Sequence, residues 1–223
     1  MRHFVYLHGF ASSPQSSKAG FLADRLRAYG LTLHCPDLNQ PDFSTLTTTR
    51  MIDRVNDELR NLAEGPVVLI GSSLGAFVAL HLAEQLMVRG ESTHPVERLI
   101  LLAPAFDFGR AGMDDLGEDG IASWQENGWL DVPHYAYGET RRVHYELYAD
   151  AARYDSFSVH STSQTLILHG RHDELIDPAT VATFAAPRPH VRLVMVDDSH
   201  QLSSSLDRVW SETAAFLDLH NRR

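Results

Sequence analysis

The sequence predicts an α/β fold of three layers, in which a mostly parallel sheet of six or slightly more strands lies between helices. Six short apolar runs are mostly continuous rather than alternating, as in strands that are buried on both faces. Most of these runs end in Gly, Pro or Asp, which favour turns. Helix-like stretches separate most of the runs, and this βα alternation indicates parallel strands with right-handed crossovers.

The predicted elements follow one another in that order along most of the chain. The strand-like runs lie at 4–9, 31–37, 67–72, 98–104, 165–170 and 191–197. The stretches with helical spacing or helix-terminus signals lie at 17–30, 45–65, 74–90, 177–187 and 202–220. The stretch 74–90 is apolar nearly all round, which is typical of a buried helix.

One segment interrupts the alternation, because no strand is evident between Pro104 and about Ser158. Within it, 138–154 has the pattern of a helix. We predict a single domain over 1–223 that carries a helical cap insertion at about 105–158. The segment is either a lid over a pocket or a set of extra helices packed on the sheet edge. Its aromatic side chains suit a pocket wall, so the predicted substrate contacts include Trp124, Trp129 and Tyr148.

Composition narrows the classes of function. The chain has 223 residues and a formal net charge of −10 with neutral histidines, which argues against nucleic acid or anionic membranes as partners. No apolar run approaches the roughly 18 residues of a membrane span, and the first residues lack a signal-peptide pattern. Cys35 is the only cysteine, and neither HExxH nor CxxC occurs. We therefore expect a cytoplasmic protein without metal or cofactor.

The stretch "LIGSSLGAFVAL" (69–80) contains the pattern G-x-S-x-G at Gly71, Ser73 and Gly75. It follows a predicted strand and opens a predicted helix, which is the setting of a nucleophile elbow. The spacing selects Ser73 as the nucleophile, with Ser72 at the variable position. The alternative is that one of the two serines only caps the helix in a tight turn.

A serine nucleophile of this kind requires an acid and then a histidine later in the chain. The run "LHGRHDELIDP" places Asp173 directly after the fifth strand, with Glu174 and Asp177 as rivals. Asp177 precedes Pro178 and is better explained as a helix cap. Asp173 is therefore the predicted triad acid.

The last predicted strand ends in "VDDSHQLSS", which places His200 in the loop before the final helix. His200 is the predicted base, the alternative being a surface histidine without a role. His169 and His172 are nearer to the acid in sequence, but they belong to its own strand and turn and are poorly placed to reach Ser73.

The first strand ends in "YLHGFASSP", which predicts the loop of an oxyanion hole. One donor is the backbone amide of Leu74, the residue after the nucleophile, and the second is the amide of Phe10. Gly9 lets the loop turn. His8 either lines the substrate pocket or supports the loop by hydrogen bonding.

The motifs "LHGF", "GSSLGA", "GRHDELI" and "DSHQL" occur in the order and spacing of the alpha/beta-hydrolase superfamily. More narrowly, the chain resembles the small YqiA/YcfP-type bacterial esterases, which share the "YLHGF.SSP" opening and a "GSSLGG" elbow. Ala76 replaces the last glycine of that elbow and falls within the helix. The resemblance covers roughly 1–104 and 160–220 but not the segment between them.

The resemblance implies hydrolysis of acyl esters through Ser73, Asp173 and His200 by way of an acyl-enzyme. A thioesterase, acyltransferase or peptidase would use the same triad, because the choice of leaving group depends on the pocket. A non-catalytic hydrolase fold that binds a small ligand is a further alternative. The expected partner is a small acyl ester or thioester, and the oligomeric state is left open.

Overall fold

The computed structural model describes residues 1–110 and 116–219. Residues 111–115 of the predicted insertion and His220 at the end of the last predicted helix lie outside the described residues. Among the residues described, no helix is both long and apolar enough to cross a membrane.

The central sheet contains six parallel strands in the order β2-β1-β3-β4-β7-β8. A separate antiparallel pair is formed by β5 and β6. The strands are β1 His3–Leu7, β2 Leu33–His34, β3 Val67–Ser72, β4 Val96–Leu102, β5 Trp129–His134, β6 Glu139–His144, β7 Gln164–Gly170 and β8 Val191–Val196. All six predicted strands are confirmed, although β2 has only two residues.

The helices α1, α2, α3, α6 and α7 confirm the five predicted ones, with shorter ends. The helices are α1 Ser17–Arg27, α2 Thr48–Arg60, α3 Leu74–Val88, α4 Gly117–Asn127, α5 Glu146–Ala151, α6 Pro178–Ala185 and α7 Leu206–Phe216. The stretch predicted as one helix at 45–65 begins differently, because a 3₁₀ turn at Phe43–Thr45 precedes α2. The Thr47 hydroxyl caps α2 by accepting a hydrogen bond from the Arg50 amide at 3.1 Å.

Alternate residues of the central strands enter two different apolar cores, one on each face of the sheet. In β1, Val5 and Leu7 join a core with α2, α3 and α6, whereas Phe4 and Tyr6 join a core with α1 and α7. Both faces are therefore buried, which explains why the strands read as continuous apolar runs. Helix α3 is buried on nearly all sides, as its composition predicts.

The insertion between β4 and β7 differs from the prediction, because it contains a β-hairpin. Strands β5 and β6 pair antiparallel, with Gly138 in the turn at a φ of 66°. The helix predicted at 138–154 is therefore wrong over its first half, and only α5 is helical there. Apart from Val143, the residues of β6 are exposed or half-buried, so this strand lacks the apolar run that identifies a sheet strand.

Hydrogen bonds fasten the insertion to the body of the fold, among them those at the hairpin and at α5. At the hairpin, the Tyr135 amide donates to the Ala11 carbonyl at 3.0 Å. At α5, the buried carboxylate of Asp150 accepts from the Thr49 amide at 2.6 Å and from the Thr49 hydroxyl at 2.8 Å. The first contact places the hairpin beside the loop that follows β1.

Candidate active site

The turn between β3 and α3 holds Ser73 in a strained backbone conformation. Its φ is 53° and its ψ is −118°, a region that residues with a side chain rarely adopt. The Ser73 amide donates to the Leu102 carbonyl at 2.8 Å, and its carbonyl accepts from the Ala76 amide at 2.9 Å. These backbone bonds fix the turn and start helix α3 immediately after it.

Glycine is required on both sides of Ser73 because strand and helix approach too closely for a side chain. A Cβ atom at Gly71 would lie 2.4 Å from the Gly75 carbonyl oxygen. A Cβ atom at Gly75 would lie 2.1 Å from the Leu7 carbonyl oxygen. The G-x-S-x-G spacing is thus explained by packing between β1, β3 and α3.

The Ser73 hydroxyl faces His200 and does not cap the helix that it precedes. Its Oγ lies 3.0 Å from His200 Nε2, and it makes no capping hydrogen bond to α3. The neighbouring Ser72 is buried and also borders the cavity beside this site. The helix-cap interpretation of Ser73 is therefore not supported, and its hydroxyl is available to the histidine.

The carboxylate of Asp173 is buried and holds the other side of the His200 ring. Asp173 Oδ2 lies 2.8 Å from His200 Nδ1, and Oδ1 accepts from the Leu175 and Ile176 amides at 3.0 and 2.9 Å. Burial alone would raise the pKa of Asp173. The hydrogen bond and charge of His200, together with the two amides, hold this pKa below its usual value.

The loops that carry Asp173 and His200 are joined by their backbones. A Cβ atom at Gly170 would lie 2.4 Å from the Asp198 carbonyl oxygen, so this close approach requires glycine. The His172 amide donates to the same carbonyl at 3.0 Å. The contacts hold the ends of β7 and β8 in fixed relation, and with them the acid and the histidine.

The rival acids lie elsewhere. Asp177 accepts from the Ala179 amide at 2.8 Å and caps α6, as its position before Pro178 predicts. Glu174 is exposed. His172 pairs with Asp197 at 2.6 Å on the surface, so it does not face the serine.

His169 lies directly behind the acid, a position that the sequence interpretation missed. Its Nε2 is 3.1 Å from the Ile176 carbonyl oxygen and 3.3 Å from Asp173 Oδ2. Burial lowers the pKa of His169, which favours the neutral ring, although the charge of Asp173 opposes that shift. The four-residue spacing from Asp173 at a strand end is the only sequence signal for this contact.

The Phe10 and Leu74 residues border the space in front of Ser73, as an oxyanion hole requires. Within the described chain, neither backbone amide donates to another protein group. Of the two alternatives for His8, the structure favours support of the loop. His8 is buried, its Nδ1 lies 2.9 Å from the Gly9 carbonyl oxygen, and its Nε2 lies 3.1 Å from the Leu38 amide nitrogen.

A cavity of about 840 Å³ opens onto Ser73 and His200. One side is apolar and includes Phe108, Ile176 and the hairpin residue Val132. The other side is polar and comes from the loop after β1 and the start of α1, with the residues Ser12, Ser13, Gln15, Ser16, Ser17 and Lys18. The predicted insertion thus contributes to the wall through its hairpin.

The three aromatic residues predicted to contact substrate do not line this cavity. Trp124 is only 1% exposed, and its indole N–H donates to the Val143 carbonyl at 3.1 Å inside the insertion. Tyr148 packs against Trp124, and Trp129 packs on His144 at the outer surface. The structure therefore does not bring these predicted contact residues to the cavity, because Trp124 and Tyr148 belong to the insertion's own core and Trp129 lies at its outer surface.

The described residues contain no group of three His, Cys, Asp or Glu side chains arranged to hold a metal ion. The polar groups closest to the Ser73 hydroxyl include the His200 imidazole with its carboxylate partner and the backbone amides of Phe10 and Leu74. This set is suited to acyl transfer, in which a nucleophile needs a base and the developing oxyanion needs N–H donors.

The fold is that of the alpha/beta-hydrolase class. The sheet order, the strained serine turn after a central strand and the acid and histidine after later strands are the features of that class. The chain belongs to the uncharacterised protein family UPF0227, whose profile matches residues 3–217. No curated protein sequence matches the chain.

Solved structures with a similar fold cover nearly all of the chain. A candidate hydrolase from Agrobacterium vitis S4 is 23% identical, with a TM-score of 0.84 over 96% of this chain and 87% of its own. Alpha/beta hydrolase domain-containing protein 10 from mouse is 21% identical, with a TM-score of 0.77 over 98% and 90%. A monoacylglycerol lipase from Paleococcus ferrophilus is 14% identical, with a TM-score of 0.76 over 96% and 93%.

Proposed function

We propose that this protein is a carboxylesterase-like serine hydrolase that cleaves acyl esters through Ser73, His200 and Asp173. The observation that carries the proposal is the continuous contact from Ser73 Oγ to His200 Nε2 at 3.0 Å and from His200 Nδ1 to Asp173 Oδ2 at 2.8 Å. The contact lies at the wall of a cavity large enough for a small-molecule ester. The fold relatives named as hydrolases and as a lipase support the same class of reaction.

In the first half of the reaction, His200 acts as a general base. Asp173 accepts a hydrogen bond from the Nδ1–H group of His200, which leaves the Nε2 lone pair directed at the Ser73 hydroxyl. The Oγ–carbon bond forms as the proton moves to Nε2, and the amides of Phe10 and Leu74 bind the oxyanion. The same proton then passes to the leaving alkoxide as the ester C–O bond breaks.

In the second half, water hydrolyses the acyl-enzyme. His200 removes a proton from the attacking water, and the tetrahedral intermediate again places its oxyanion at the two amides. Collapse of this intermediate breaks the bond to Ser73 Oγ, which regains its proton from His200. Asp173 stabilises the imidazolium in both halves, and its contacts with His200 and the two backbone amides keep it ionised despite its burial.

The proposal is tested by a turnover screen of acyl esters and thioesters of graded chain length. The purified protein should hydrolyse at least one ester series, and Ser73→Ala should abolish that turnover while leaving the unfolding transition in place. Turnover of thioesters alone would replace the ester proposal with a thioesterase. Turnover of neither series, with ligand binding retained, would favour the non-catalytic alternative.

A further inference from the structure

Lys18 is the only lysine among 223 residues, and all 18 other Lys or Arg positions are arginine. It lies in the first turn of α1 and lines the cavity together with Ser73 and His200. A cation in this turn opposes the helix dipole, so helix stability does not explain it. The chain therefore places its single lysine side chain in the wall of the candidate active site.

The ammonium group of Lys18 has hydrogen-bonding capacity that the protein does not use. Its Nζ donates to the Gln201 carbonyl at 2.8 Å, one residue after His200. Among the described residues it forms no ion pair, although an ammonium group carries three donors. The described cavity wall contains no Asp or Glu side chain and no arginine.

Keeping this charge in the cavity wall is unfavourable for the protein alone. Burial lowers the pKa of Lys18 to about 8, with partial opposition from the charges of Asp198 and Asp173. These are the two carboxylates that act on it, and His200 lies between the cavity and Asp173. At neutral pH most of the Lys18 population is still protonated, so a ligand meets a partly desolvated cation.

We propose that Lys18 is an anion-binding subsite of the cavity and that the preferred substrates are acyl esters that carry a carboxylate. This inference rests on the proposed esterase function and deepens it by naming the substrate class. A single ammonium suits one negative charge, whereas phosphate groups favour several donors or the forked geometry of arginine. The apolar side of the cavity receives the rest of the molecule.

The first test compares matched anionic and neutral esters. On the acyl side, monomethyl adipate is compared with the analogue whose free carboxylate is a primary amide. On the leaving-group side, para-acetoxybenzoate is compared with para-acetoxybenzamide. In at least one pair, the wild-type ratio of kcat/KM values should favour the anion. Ratios near unity in both pairs would overturn the proposal and leave the esterase function standing.

Variants of Lys18 assign the preference to this residue. Lys18→Met keeps most of the side-chain length, and the anion-to-neutral ratio should fall about 10- to 100-fold, as expected for a lost charged hydrogen bond. Lys18→Arg should retain a preference for the anion. Arg27→Met removes an exposed cation from the same helix and should keep the wild-type ratio. An equal loss in Arg27→Met would show a general field effect and overturn the proposal.

The pH dependence of the ratio gives an independent readout. Lys18 is charged below a pKa of about 8, so the preference for the anionic ester should decline as pH rises through that value. The Asp173 carboxyl, whose pKa is held below its usual value, stays ionised over this range. The range from about pH 7 to about pH 10 spans the deprotonation of Lys18. An anion-to-neutral ratio that stays constant over this range would contradict a role for Lys18.

A binding measurement separates this inference from the proposed function, because it needs no turnover. Isotope-labelled lysine gives one side-chain NMR signal in this chain, since Lys18 is the only lysine. In Ser73→Ala, monomethyl adipate should shift this signal and raise its titration midpoint, and the amide analogue should not. If the anion binds here but the wild type hydrolyses no ester, the subsite stands and the esterase proposal fails. If neither ligand moves the signal, the subsite proposal fails.

Discussion

His200 Nε2 lies 3.0 Å from Ser73 Oγ, although the two residues are separated by 127 positions in the chain. They follow β8 and β3, which are themselves separated in the sheet by β4 and β7. The contact is possible because parallel strands present their carboxyl ends at one edge, where loops from non-adjacent strands converge. The catalytic proposal depends on this contact and on its extension to Asp173.

The role of Asp173 predicts a large loss of turnover without loss of the fold. Asp173→Asn should lower kcat on the order of 10⁴-fold, because the amide no longer holds the reactive tautomer of His200. Asp177→Ala is the control, and its main effect should be loss of the α6 cap. This loss should lower the free energy of unfolding, measured with urea, by about 1 kcal/mol. Loss of turnover in Asp177→Ala with an active Asp173→Asn would reverse the assignment.

The lowered pKa of Asp173 predicts how its contribution to stability changes with pH. The folded-state pKa lies below the unfolded value of about 3.9, so the carboxylate stabilises the fold above that pH. This contribution is lost as pH falls through the folded-state pKa. The difference in unfolding free energy between wild type and Asp173→Asn should therefore be constant near neutrality and shrink in acid. A difference that grows on acidification would contradict the assigned direction.

His8 is expected to position the oxyanion hole through a single peptide plane. The Gly9 carbonyl that contacts His8 Nδ1 and the Phe10 N–H belong to one planar peptide and point in opposite directions. His8→Ala frees this plane and should lower kcat by about 10- to 100-fold with less change in KM. His3→Ala, a buried histidine at the other end of β1, is the control and should affect stability only. An equal loss of kcat in both variants would refute a positioning role.

The hairpin of the insertion offers a matched pair of valines for testing the cavity wall. Val132 lines the cavity, whereas Val143 on the paired strand is fully buried and does not line it. Val132→Ala should extend activity towards longer or bulkier acyl chains in a graded ester series. Val143→Ala should lower the melting temperature and keep the wild-type chain-length profile. Identical profiles for both variants would show that the hairpin does not determine specificity.

The sequence predicts the sheet, its covering helices and the three site residues because each depends on local rules. Continuous apolar runs identify buried strands, and close packing explains the glycines on both sides of Ser73. The fold then dictates the order of nucleophile, acid and histidine. Of the two candidate acids, Asp177 is identified as a helix cap because the following Pro178 indicates a helix start.

The insertion was predicted less well, because its structure depends on contacts within a small core of its own. Strand β6 is mostly exposed and charged, so it lacks the apolar signal of a sheet strand. In β5, Val132 and His134 are buried while their neighbours are exposed. This alternation is typical of a half-buried strand and is the sequence signal for the hairpin. Aromatic content indicated burial of Trp124 and Tyr148 but not which surface they would face.

The most direct test of the catalytic proposal is the site of covalent modification by a fluorophosphonate probe. Ser72 and Ser73 both border the cavity, so they form a matched pair of neighbouring hydroxyls. Only the Ser73 hydroxyl is in contact with His200, and an isolated serine hydroxyl is a weak nucleophile. Mass spectrometry of the labelled peptide should place the adduct on Ser73. Labelling should be retained in Ser72→Ala, abolished in Ser73→Ala and strongly slowed in His200→Ala. An adduct on Ser72, or labelling that survives Ser73→Ala, would contradict the proposal that Ser73 is the nucleophile.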